Sequence, residues 1–142
     1  MADKEPTVEA VIVTIHTNGD GKDDDTYLFA WTSLVAGSQF SHGDFTSGTI
    51  DQGAQRTVNM VVDARPTRAQ VEGGFQLRLK WNSNGDYSFH GDAKVTIVFS
   101  DNVIRNWIVP DIAMNQDVEW YIYPITGGGT DAAVKMAEVI RG

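Results

Sequence analysis

Phe75-Gln76-Leu77-Arg78-Leu79-Lys80-Trp81 alternates strictly between apolar and polar side chains. Successive side chains of an extended strand point to opposite faces, so Phe75, Leu77, Leu79 and Trp81 share one face and Gln76, Arg78 and Lys80 the other. Alternation of this kind marks a half-buried antiparallel strand, with one face in a core and the other in water. The chain on either side repeats the theme. Asn82 to Asp86 (N-S-N-G-D) is turn chemistry. Ala93 to Ser100 alternates again, with Val95, Ile97 and Phe99 on one face. Asp101-Asn102 suits a two-residue hairpin turn, because both residue types tolerate positive φ. Val103 to Val109 then pairs back, carrying Trp107, and Val118 to Tyr123 is a last strand.

Toward the N-terminus, Asp63 to Gly74 holds Pro66 and two glycines and reads as a connecting loop. Gln55 to Val62 is a strand with Val58, Met60 and Val62 in register. Ala36 to Gly53 is rich in Gly and Ser, with a short strand around Phe40 or Phe45. Thr26 to Val35 is a strand that sets Tyr27, Phe29 and Trp31 on one side. Val8 to Thr17 is rich in β-branched residues and reads as a strand. In it Val11, Val13 and Ile15 oppose Ile12, Thr14 and His16.

These seven to eight short strands, separated by turns, predict an all-β, antiparallel β-sandwich, with a closed barrel as the alternative. Parallel α/β architecture lacks the helices it needs between strands. The 142 residues predict a single domain, with residues 1–7 as a frayed N-terminus. Residues 126–142 form a Gly-rich joint plus a short C-terminal helix over Asp131 to Arg141, capped by Thr130 or Asp131. In that helix Val134, Ala137 and Ile140 recur at helical spacing.

The composition, 42% hydrophobic and 21% charged, is that of a globular chain. Cysteine is absent, so no disulfide framework and no thiolate metal site exist. The charged start M-A-D-K-E-P lacks the apolar core of a secretory signal, and cytoplasmic synthesis is the default expectation. No apolar run approaches the ~18 residues of a transmembrane segment. A net charge of -8 argues against nucleic acid as partner. It also weighs against docking on anionic lipid unless bound cations reverse the local sign.

Thr17 to Thr26 (T-N-G-D-G-K-D-D-D-T) concentrates charge on one short connection. Asp20, Asp23, Asp24 and Asp25 repel one another, relieved by water and salt, by Lys22 or by a bound cation. Ca2+ takes several carboxylate and carbonyl oxygens in irregular geometry, which fits Asp20, Asp23 and Asp25 with Asn18 or a backbone carbonyl. The twelve-residue EF-hand pattern is not met: Lys22 occupies an alternate ligand position and the closing glutamate is missing. The other reading is a solvated hairpin, since Gly, Asn and Asp are ordinary turn residues.

His-Gly-Asp occurs twice, as His42-Gly43-Asp44 and His90-Gly91-Asp92. Imidazole with carboxylate is a ligand pair for Zn2+ or Fe2+, and with His16 three histidines are available to converge. Against this, Gly-Asp is a turn dipeptide and recurs at Gly19-Asp20 and Gly85-Asp86. Nucleophile-elbow and phosphate-loop motifs are absent, and carboxylates placed in turns fit binding better than catalysis. Trp31, Trp81, Trp107 and Trp120 sit on strands as core candidates. Tyr87 and Phe89 follow the N-S-N-G-D turn and are candidates for a loop-end aromatic platform, beside His90 and Asp92. Tyr121 and Tyr123 flank Trp120 on the opposite face, an interaction patch if exposed.

The opening V-T-I-H-T-N-G-D-G-K-D-D-D-T-Y-L resembles the first hairpin of the PLAT/LH2 family. The later F-Q-L-R-L-K-W-N-S-N-G-D-Y-S-F-H-G-D-A-K-V-T-I resembles that family's strand, Asn/Gly turn and final strand. The resemblance implies an eight-stranded sandwich related in shape to C2 domains. It implies binding of lipid surfaces or partner proteins, often with Ca2+ held by loop acids. Carried across, Asp20, Asp23 and Asp25 become loop ligands and Asp86 contributes from the opposing turn. Tyr87 or Phe89 stands where the family has a tryptophan, and the tail from Asp111 has no counterpart. The expected function is a non-catalytic module that recognises a carbohydrate or lipid surface through end loops with the help of Ca2+. The first alternative is self-assembly as a homo-oligomer through the C-terminal helix and an exposed aromatic face. A small metal-dependent enzyme is the second.

Overall fold

The computed structural model describes residues 5–17, 27–35, 37–45, 53–82, 89–114, 120–127 and 129–131. Among them run β1 (Val8–Thr17), β2 (Tyr27–Leu34), β3 (Gln39–Asp44), β4 (Gln55–Asn59) and β5 (Val61–Val62). A helix α1 (Arg68–Glu72) follows, then β6 (Phe75–Asn82), β7 (Phe89–Phe99), β8 (Ile104–Met114), β9 (Trp120–Ile125) and β10 (Thr130–Asp131). They form two five-stranded sheets, ordered β10-β8-β7-β1-β4 and β5-β3-β2-β6-β9. All pairings are antiparallel. The fold is an all-β antiparallel sandwich. Eight of its strands have five residues or more, and β5 and β10 add two residues each.

The alternation in sequence becomes the two-sided burial of the sheets. Phe75, Leu77, Leu79 and Trp81 are buried, as are Val95, Ile97 and Phe99 on β7 and Val11, Val13 and Ile15 on β1. Their side chains form one core between the sheets. Two aromatic contacts span the gap. Phe75 meets Trp107 edge-on with ring centroids 5.1 Å apart, and Trp81 meets Phe89 at 6.0 Å. The Trp107 indole also donates to the Gly127 carbonyl at 3.1 Å, so its polar atom is satisfied inside the core.

Several expectations change. Gln55 to Val62 is not one strand. Met60 N donates to Val11 O at 2.8 Å, still on the first sheet, while Val61 and Val62 pair with His42 and Ser41 of β3 on the second. The chain switches sheets at Met60, because its buried side chain sits between the layers. The Asp63–Gly74 loop contains α1, started by a capping box in which the Thr67 hydroxyl accepts from Gln70 N and the Gln70 side chain accepts from Thr67 N. Pro6 and Thr7 are tied down rather than frayed. Arg68 N donates to Pro6 O, and Thr7 bridges Thr67 and bonds Ser100. The hairpin after Phe99 spans four residues, not two. Only Asn102 has positive φ, and the Asp101 carboxylate accepts from Val103 N. Thr130 and Asp131, the expected helix caps, pair with Asn106 and Arg105 of β8 as a strand. The rest of the expected C-terminal helix lies outside the described residues.

Helix α1 closes one end of the sandwich. Val71 is buried, while Arg68 lies 4.8 Å over the Phe99 ring and pairs with Asp101. Leu77→Ala is expected to cost about 2–5 kcal/mol, because it opens a cavity between two packed sheets. Gln76→Ala, one residue away on the outer face, is expected to cost about 0.5 kcal/mol or less. Urea denaturation of the two variants compares them, and equal losses would refute this two-sided burial.

Candidate functional site

Four sheet-to-sheet connections leave from the end opposite α1. They join β1 to β2, β3 to β4, β6 to β7 and β8 to β9. The flanking strand ends are adjacent: Thr17 pairs with Gly91, Tyr27 with Asn82, Phe89 with Met114 and Lys80 with Trp120. The Trp81–Phe89 contact holds the two sheets together at this end. The strand ends that flank Thr17–Thr26 and Asn82–Asp86 therefore lie at one end of the body, where binding loops on sandwiches generally gather. Residues 18–26, 46–52, 83–88 and 115–119 carry Asp20, Asp23, Asp24, Asp25, Asp51, Asp86, Asp117 and Glu119. Lys22 is the single basic residue among them, so most of the net charge of -8 belongs to this end.

The expected metal ligands Asn18, Asp20, Asp23, Asp25 and Asp86, and the expected platform residue Tyr87, lie outside the described residues. Phe89 does not stand on the rim. It is fully buried against Trp81, because it shares strand parity with Gly91, Ala93, Val95, Ile97 and Phe99 and so faces inward. The aromatic ring at this end among the described residues is Tyr27, 51% exposed, directly after the 18–26 connection. The alternation of β2 held that signal, with Tyr27, Phe29 and Trp31 opposite Leu28, Ala30 and Thr32.

The three histidines do not converge. His16 and His90 lie on the outer face of the first sheet and His42 on the outer face of the second. Among the described residues no group of three His, Asp or Glu side chains is placed to hold a metal ion. Both His-Gly-Asp tripeptides are strand segments rather than turns. In each, His and Asp point outward and glycine fills the inward position because nothing larger fits. A Cβ on Gly43 would strike the Met60 sulfur, and one on Gly91 the His16 carbonyl. His90 is exposed near the acidic end. Asp92 lies 3.9 Å from His16 Nδ1, and its other oxygen accepts from Asp111 N at 3.3 Å. The pair His16–Asp92 was not visible in sequence, since it forms only across the β1–β7 register.

Trp81 and Trp107 are core residues, as expected. Tyr121 and Tyr123 pack against the core, and burial pushes the Tyr123 hydroxyl above its ordinary pKa. The outward-facing aromatic row is on β2 instead, with Tyr27 exposed and Phe29 and Trp31 half-buried. Tyr27 and Phe29 rings are near-parallel with centroids 6.4 Å apart, and Phe29 and Trp31 follow at 5.8 Å. No helix among the described residues is long and apolar enough to cross a membrane. No protein-family model matches the chain, and no curated protein matches it.

On β3, His42 Nδ1 lies 2.8 Å from Asp63 Oδ2, which also accepts from Gln39 Nε2 at 3.0 Å. The His42 bond first, then the Gln39 bond, holds the Asp63 carboxyl below the ordinary carboxylate range. A depressed folded-state pKa means that the unfolded chain takes up the proton first on acidification. The stabilisation is then complete above about pH 4 and fades as pH falls through the depressed value. The melting-temperature deficit of Asp63→Asn is expected to be largest near neutrality and to shrink below about pH 4. Thermal melts across pH measure it, and a deficit independent of pH would trace the loss to packing alone.

Proposed function

We propose that this chain is a non-catalytic binding module that recognises a carbohydrate surface through its acidic end, with Ca2+ held by the 18–25 acids. The observation that carries the reading is the gathering of four acid-bearing connections at one end of a rigid sandwich. Asp20, Asp23 and Asp25, with Asn18, supply the cation's oxygens, and Asp86 adds to the same end from the neighbouring connection. The resemblance of the first hairpin to PLAT/LH2 domains supports this assignment.

Tyr27 is exposed at this end on the second sheet's outer face, and His16, His90 and Asp92 stand at the same end on the first sheet's outer face. An exposed ring beside a bound cation suits a sugar: the ring covers the apolar C–H face while the cation takes hydroxyl pairs. Insertion into a membrane asks instead for several exposed apolar side chains, and among the described residues at this end Tyr27 is the large exposed one, which favours the sugar.

Ca2+ affinity is expected in the roughly 10⁻⁵ to 10⁻³ M class, because the ligand pattern is incomplete. Saturating Ca2+ is expected to raise the melting temperature by mass action. Calorimetric titration of metal-free protein tests this. No heat together with an unchanged melting temperature would reduce the loop to a turn. Glycan arrays and liposome pelleting, each with Ca2+ and with chelator, then separate the surfaces. Chelator-sensitive glycan signal that weakens on Tyr27→Ala supports the module, and signal on liposomes alone replaces carbohydrate with lipid.

A further inference from the structure

The outer face of the second sheet is built differently from that of the first. Across the first sheet, the outer positions mix Thr14, Thr57, Thr96 and Lys94 with Ile12, Val98, Ile104 and Ile108, and among the described residues they carry no Phe, Tyr or Trp. On the second sheet, β2 presents Tyr27, Phe29 and Trp31 in a line. Register fixes what flanks that line. Asp44, Phe29 and Lys80 stand in one row across β3, β2 and β6. Val61, His42, Trp31, Arg78 and Ile122 stand in the next row, from β5 to β9. Val61 and Ile122 are more than half exposed at its two ends. One flank of the aromatic line is therefore acidic, with Asp44 and with Asp63 hydrogen-bonded to His42. The other flank is basic, with Lys80 and Arg78.

We propose that a second copy of this chain packs on this face, related by a twofold axis that lies in the interface along β2. Such an axis carries each residue to the opposite side of β2 in the same row. It sets Asp44 of one copy against Lys80 of the other, and the His42–Asp63 pair against Arg78, twice over by symmetry. Phe29 and Trp31 lie near the axis and meet their own counterparts. An in-plane axis perpendicular to β2 would instead place basic flank on basic flank and acidic on acidic, which is repulsive. The aromatic line supplies apolar contact, and the charges select which way the copies face. The five strands hold 30 residues; at about 3.3 Å of rise each and about 4.8 Å between strands they offer roughly 480 Å² per copy, the size of a weak interface. The dimer is accordingly concentration-dependent. It stands on the sheet face alone and needs neither cation nor sugar.

Sedimentation velocity over a concentration series, without added metal or glycan, tests the pairing. The parent chain is expected to pass from monomer to dimer. Asp44→Lys and Lys80→Glu, both on the outer face, are each expected to weaken self-association by at least about tenfold, since each sets like charges opposite. An equimolar mixture of the two variants is expected to recover dimer, because both cross-contacts then join opposite charges. The double variant D44K/K80E is expected to recover it as a single chain. Melting curves confirm that each variant folds. A parent chain that stays monomeric at its highest attainable concentration overturns the proposal. So does a mixture that associates no better than either variant alone.

Discussion

The structure depends on the closing of two inner faces upon each other, pinned at both ends by rings that cross the gap. Phe75 against Trp107 holds the end near α1, and Trp81 against Phe89 holds the acidic end. Between them Leu77 and Leu79 are fully buried in the same core as Val95, Ile97, Val13 and Ile15. The hydrophobic effect makes that closure favourable in proportion to the apolar area removed from water. The acidic end exists as a place only because these contacts bring the strand ends of both sheets together. The connections that carry most of the acidic residues thereby start and finish at one end of the molecule.

Much of this was readable from residue alternation. β6 declares its buried face directly, because its apolar residues fall on one parity, and in β7 and β1 most do, with Val98, Ala10 and Ile12 on the other. The same rule, carried three inward positions back from Val95, places Phe89 inside, although its nearness to a turn drew it to the rim. β2 was ambiguous for a physical reason: both of its faces are apolar. The smaller Ala30 and Thr32 turn inward, where Thr32 and Ser41 share a hydrogen bond, and the three large rings turn outward. Met60 hides a switch between sheets inside a run that is uniformly strand-forming, and only tertiary pairing breaks it. Helix α1 is too short to show a periodic stripe, and Thr67 with Gln70 was its one sequence mark. The His-Gly-Asp tripeptides misled because glycine marks turns, whereas here it marks crowding.

The two ends of the sandwich are unlike. At one, α1, Pro6 and Thr7, and the Arg68–Asp101 pair seal the core with hydrogen bonds and paired charge. At the other, acids outnumber bases heavily. A twofold axis along β2 keeps the strand direction of both copies, so it would set two acidic ends side by side. Two modest sites presented together gain by effective concentration, provided that both reach the surface at once.

The position of β1 has a consequence for how the chain finds its fold. β1 lies between β4 and β7, and its longest pairing joins Val8–Thr17 to Gly91–Phe99. The β2–β3 and β7–β8 hairpins close over short separations and can form early. The first sheet has no centre until a strand roughly 80 residues further along arrives beside β1. Loop closure on that scale is the slow step of all-β chains. Until it happens, the β1 edge that pairs with β7 is open, and a nascent chain carries an adhesive edge that must be kept from its neighbours.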